Sequence, residues 1–138
     1  RKADSPDLPV LLQSADPELF GAILHQLAMD DDPSVAGKLL ELLRDANVRG
    51  RSKDERRALF LALASRGEPI LAALEAELNA GGLFSRRPEP DRQGIALCIA
   101  RIGTPAARAI LDRGLRSRRG AIRKACTIAG ASGNAGDD

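Results

Sequence analysis

Residues 30–32 set three carboxylates in a row, Asp30-Asp31-Asp32, followed by Pro33. Clustered carboxylates suggest a hard cation or acid–base catalysis. The run lacks the spaced oxygen ligands of a calcium loop, and an Asp before a Pro is also how a helix starts, so Asp32 reads as a cap. His25 is the only histidine and has no Cys or Asp at catalytic spacing. Cys98 and Cys126 sit in the apolar stretches ALCIARI and KACTIAG and read as small buried hydrophobes. Two cysteines and one histidine make no convincing zinc set. Ser65, Ser117 and Thr127 have no base nearby, and neither RIGTP nor ASGNAG follows a strand as a phosphate loop does. The expectation is a protein without enzymatic activity, cofactor, metal or small-molecule substrate.

What remains for chemistry is arginine. Net charge is only +2, but it is uneven: residues 1–68 carry a net of −2, and residues 86–124 a net of +8. Such an asymmetry suits an acidic protein surface or nucleic acid near the C-terminal half, or a solvated Arg-rich helix face. The sequence has 43% hydrophobic residues and 2% aromatic ones, with no Trp or Tyr. Its abundance of Ala and Leu favours helix over sheet. No apolar run approaches the roughly 18 residues needed to cross a bilayer. RKADSPDLP has no apolar signal-peptide core. The abrupt opening without Met is expected of a piece of a longer protein, and the reduced cysteines suit the cytoplasm.

A period organises these residues. Asp32-Pro33, Glu68-Pro69 and Thr104-Pro105 place their prolines 36 residues apart. The trios Ile23, Leu27, Ala28; Leu59, Leu63, Ala64; and Ile95, Ile99, Ala100 step by the same 36. Spacing within a trio is helical, and a helical period of this length indicates stacked repeats. The marks predict helix pairs at 6–13 and 17–29, 33–45 and 54–66, 69–80 and 91–102, and 105–117 and 120–131. Apolar stripes run through Leu39, Leu40 and Leu43, through Ile70, Leu71, Leu74 and Leu78, and through Ile110, Leu111 and Leu115. No single pair could bury its stripe alone, so neighbouring pairs must stack.

RIGTPAARAILDRGLRSRRGAIRKACTIAGAS resembles a HEAT repeat of the bacterial, PBS-lyase type. Gly103-Thr104-Pro105 fills the family's Gly-X-Pro junction, Ile122-Arg123 its Val/Ile-Arg pair, and Gly67-Glu68-Pro69 repeats the junction one period earlier. The resemblance covers nearly the whole chain, least in the first repeat, where Phe20 stands in the Arg place. It implies an all-α, right-handed α-α superhelix of about four antiparallel pairs. The repeats would fall at about 5–30, 31–66, 67–102 and 103–133 in a single domain over 1–138. It also implies that second helices line a concave surface, where Arg56, Arg92 and Arg123 would form a ladder, free or paired with neighbouring carboxylates.

Links between paired helices are tight in repeats one and four but expanded at 46–53 and 80–90. Insertions of this kind map to one face of a repeat protein, often a binding face. They gather Arg49, Arg51, Lys53, Arg86 and Arg87, with Leu83 and Phe84 alongside. Phe84 reads either as an interface anchor or as a plug tucked under its loop. Arg118 and Arg119 add charge at the fourth link. The expected function is a protein-interaction scaffold, its partner another protein or another domain of the same chain. The competing reading is nucleic-acid binding through 86–124. A DNA glycosylase of this family would need aromatic base stacking, which the missing Trp and Tyr deny it. A bilin-lyase role finds no chromophore site.

Overall fold

A computed structural model describes residues 15–45, 48, 50–80 and 89–136, the side chains of 89–91 and 132–136 excepted. All regular structure among them is helical. The chain falls into two compact units, Arg1–Leu63 and Ala64–Asp138.

In the first unit, α1 (Pro17–Met29) is started by Asp16, whose carboxylate accepts from the Leu19 N–H at 2.8 Å while Pro17 fills the first turn. The unit continues with α2 (Ser34–Arg44) and α3 (Lys53–Ala64). Its core is Phe20, Leu24, Val35, Leu39, Leu42, Leu43, Leu59 and Leu63. Burial in α1 thus falls on Phe20 and Leu24, while Ile23, Leu27 and Ala28 are only half-buried. The bulky Phe20 at the helix start draws that stripe inward ahead of the expected trio.

In the second unit a 3₁₀ turn, Glu68–Ile70, leads into α4 (Leu71–Leu78). Then come α5 (Glu89–Ile102), α6 (Pro105–Leu115) and α7 (Gly120–Gly136). Helix α4 packs on α5 and α6, and α7 packs on both α5 and α6, its contact with α5 being the most extensive. Small residues allow that close approach: Ala96, Cys98, Ala125, Cys126 and Ala129 are all buried. The expected stripe of α4 is buried throughout, but that of α6 is not. Ile110 is buried, Leu111 half-buried, and Leu115 faces solvent with 45% of its surface exposed.

Gly67 and Gly103 have φ of +74° and +69°. Each ends one helical segment in the left-handed region, and the Pro two residues on starts the next. That is the physical content of the Gly-X-Pro junction. The predicted helix 6–13 lies outside the described residues. Helix α7 runs five residues past its predicted end at 131, because no proline or cap interrupts it.

Candidate binding surface

The carboxylates of 30–32 do local work. Asp30 accepts from the Asp32 N–H at 2.9 Å, and Asp32 accepts from the Ser34 N–H at 3.0 Å just ahead of α2. His25 is exposed. No group of three or more potential metal ligands occurs among the described residues, and no helix there is long and apolar enough to cross a membrane. Cys98 and Cys126 are both buried, and burial pushes the Cys98 thiol up to about 12 and raises that of Cys126. A thiol held protonated is a poor nucleophile. Neither cysteine should therefore react with Ellman's reagent in the native protein, both reacting on unfolding. Fast labelling without denaturant would contradict this burial.

The arginines divide by what they hold. Arg92, expected on a concave-face ladder either free or paired with neighbouring carboxylates, is turned inward, 2% exposed. Its guanidinium donates to the main-chain oxygen of Leu78 and, at 3.2 Å, to that of Ala80. Arg119, half-buried, donates to the oxygens of Asn79 at 2.6 Å and Ala80 at 3.3 Å. Two guanidinium groups thus satisfy the Leu78 carbonyl at the end of α4 and those of Asn79 and Ala80 just past it, where positive charge is favoured. Arg113 grips Glu75 on α4 through two parallel bonds of 3.1 Å. This pair is exposed and contributes under about 1 kcal/mol.

Burial also corrects the ladder. Leu59, Ala62 and Leu63 in α3 match Ile95, Cys98 and Ile99 in α5, and then Ile122, Ala125 and Cys126 in α7. The steps are 36 and then 27 residues, so the counterpart of Arg92 is Arg119, just ahead of α7, and not Arg123. The shorter second step arises because the link before α7 is tight, whereas that before α5 is expanded. Arg123 is exposed and donates to the Ser117 oxygen at 2.7 Å, bracing the α6–α7 turn.

In the first unit Arg51 is largely internal as well. It donates to the Ala15 oxygen at 2.6 Å, 36 residues back, and to Glu55 at 2.5 Å, and lies 4.5 Å from the Phe20 ring centroid. This joins a main-chain bond, an ion pair and a cation–π contact on one side chain. Lys53 and Arg57 are exposed, and Arg56 is half-buried. Arg49, Leu83, Phe84, Arg86 and Arg87 lie outside the described residues.

One device was legible and not read from the sequence: Ser52-Lys53-Asp54-Glu55 is a capping box. The Ser52 hydroxyl accepts from the Glu55 N–H at 3.2 Å, and Glu55 accepts from the Ser52 N–H at 3.1 Å. Burial pushes the Glu55 carboxyl up, but hydrogen bonds from Arg51 and Ser52 outweigh it and hold it below its ordinary 4.5. A carboxyl lowered on folding contributes stability that is full above its ordinary value and lost as pH falls through the lowered one. Wild-type protein should therefore lose more stability than Glu55→Gln between about pH 6 and about pH 3, read as urea midpoints. Parallel curves would show that Glu55 contributes nothing through its charge.

No protein-family model, curated protein or solved structure matches the chain.

Proposed function

We propose that the chain is a HEAT-like helical repeat domain working as a non-enzymatic scaffold for protein–protein interaction. The observation that carries this reading is the engagement of its arginines. Arg51, Arg92, Arg113, Arg119 and Arg123 all hold main-chain oxygens or carboxylates of their own unit. Nucleic-acid binding calls for cations aimed outward in a continuous stripe, whereas a rigid interaction frame calls for cations that tie helices and links together.

The packing of the second unit fits the same view. There α4 meets α6 and α5 meets α7, first helix on first and second on second, as stacked pairs require. The arginines of the links reach back to the preceding link, Arg51 over 36 residues and Arg119 over 39 and 40. We read these as equivalent clasps of successive repeats in a right-handed superhelix. The partner would be another protein or another domain of a longer chain, in a reducing, cytoplasmic setting.

The nucleic-acid reading is the competitor, favoured by the exposed Arg101, Arg108, Arg116 and Arg118. Titrating the purified chain into labelled duplex and single-stranded oligonucleotides across a salt series decides between them. The scaffold reading expects no binding even at low salt. Tight binding with a steep salt dependence would replace it.

A further inference from the structure

We propose that the α6–α7 turn of the second unit is a docking surface for a protein segment that alternates acidic and apolar side chains. The proposal rests on the scaffold reading and names the class of partner.

From Arg108 to Lys124 the chain has seven basic residues and one acidic residue, Asp112. The bonds of Arg116, Arg119 and Arg123 orient their charge without cancelling it. Arg119 and Arg123 donate to neutral carbonyls, and Arg116 donates through Nε to the Asp112 main-chain oxygen at 3.4 Å. Among Arg113, Arg116, Arg118, Arg119 and Arg123, Arg113 is the one held against a carboxylate among the described residues, that of Glu75. Arg116 and Arg118 are exposed, and Arg118 makes no hydrogen bond or ion pair among the described residues. The positive end of α7 opens beside them, with no acidic residue in its first turn to offset it. A guanidinium already held on one edge loses less freedom when its other edge takes a carboxylate.

The second component is apolar. Leu115, 45% exposed, immediately precedes Arg116 and points away from the core that its stripe was expected to join. An exposed leucine followed in the chain by the exposed Arg116 and Arg118 suits a carboxylate-bearing segment with an apolar anchor. A phosphate backbone would use the cations and leave Leu115 in water, which is why the protein partner is favoured over nucleic acid.

The test uses the intact chain and a short fluorescein-labelled peptide repeating Glu-Glu-Leu, with a duplex oligonucleotide in parallel. Wild-type protein is expected to bind the peptide. Arg118→Glu with Arg116→Glu should weaken it by at least on the order of tenfold, and Leu115→Ser should weaken it most at high salt. Arg118→Glu alone disturbs no bond among the described residues, so an unchanged melting temperature shows that lost binding is not lost folding. Equal peptide binding by wild type and both charge variants overturns this surface while leaving the scaffold reading intact. Duplex binding without peptide binding, lost in the charge variants, overturns both. Binding of neither probe overturns the acidic partner here, and the scaffold reading then stands or falls on its own experiment.

Discussion

Arg92→Ala is expected to lower the unfolding free energy by about 3 kcal/mol, since hydrogen bonds from a charged donor contribute about 1.5–3 kcal/mol each. The figure is kept near the lower sum for two bonds because Arg119 also donates to the Ala80 oxygen and partly covers its loss. The Leu78 oxygen, by contrast, is left buried without the donor it now has. A loss of this size corresponds to a fall in melting temperature of roughly 10 °C for a domain of this length. Arg92→Lys should recover less than half of it. An ammonium is a compact, strongly hydrated charge that cannot hold two carbonyls at once as the flat guanidinium does. Arg119→Ala, at a half-exposed position, should cost about 1 kcal/mol. Urea unfolding of the three variants checks the order. If Arg92→Ala unfolds with wild type, or Arg92→Lys is silent, the guanidinium is not what closes the end of α4.

The second large effect is at Gly114. A Cβ built there falls 2.2 Å from Cys126 Sγ and 3.4 Å from Cys126 Cβ. On an isolated helix Gly→Ala would be favourable by about 1 kcal/mol. Here overpacking of the α6–α7 contact opposes it, at about 1–3 kcal/mol for an inserted methyl, and we expect a net destabilisation of about 1 kcal/mol. Gly114→Leu should be far worse, forcing the two helices apart. The informative combination is Gly114→Ala with Cys126→Ala. Removing the sulfur takes away the 2.2 Å contact and leaves those of 3.4 Å with Cys126 Cβ and 3.5 Å with Ile122 Cγ2. The double variant should thus be more stable than the sum of the two single effects predicts, by 1 kcal/mol or more. Simple additivity of the two substitutions would mean that α6 and α7 do not meet at this point.

These two sites mark where sequence reading stops. The helices themselves were legible, since their information is local: Asp16 and Thr104 cap within three residues, the junction glycines permit a left-handed turn, and proline cannot continue a helix. The stripe of Ile70, Leu71, Leu74 and Leu78 was legible by its period and is buried as that period requires. The capping box at Ser52 and Glu55 was equally local, and it starts α3 at Lys53, one residue ahead of the predicted 54.

The roles of the arginines were not legible. Arg92, Arg119 and Arg123 look alike in one dimension, each near the start of a helix rich in alanine. Which of them turns inward depends on the length of the link before it, because one residue of shift rotates a helical side chain by about 100°. The expanded link before α5 and the tight one before α7 made Arg119 the counterpart of Arg92 and freed Arg123 to brace the turn. In the same way a glycine in α6 reads as a weak point of that helix until α7 is laid across it. By itself the sequence determined an all-helical chain and the caps, junctions and most of the apolar stripes that build it. Only the tertiary structure decided which cations are spent on the frame and which, Arg116 and Arg118 among them, stay exposed. The physical reason is that a carbonyl some 40 residues away competes for a guanidinium as well as a neighbouring carboxylate does.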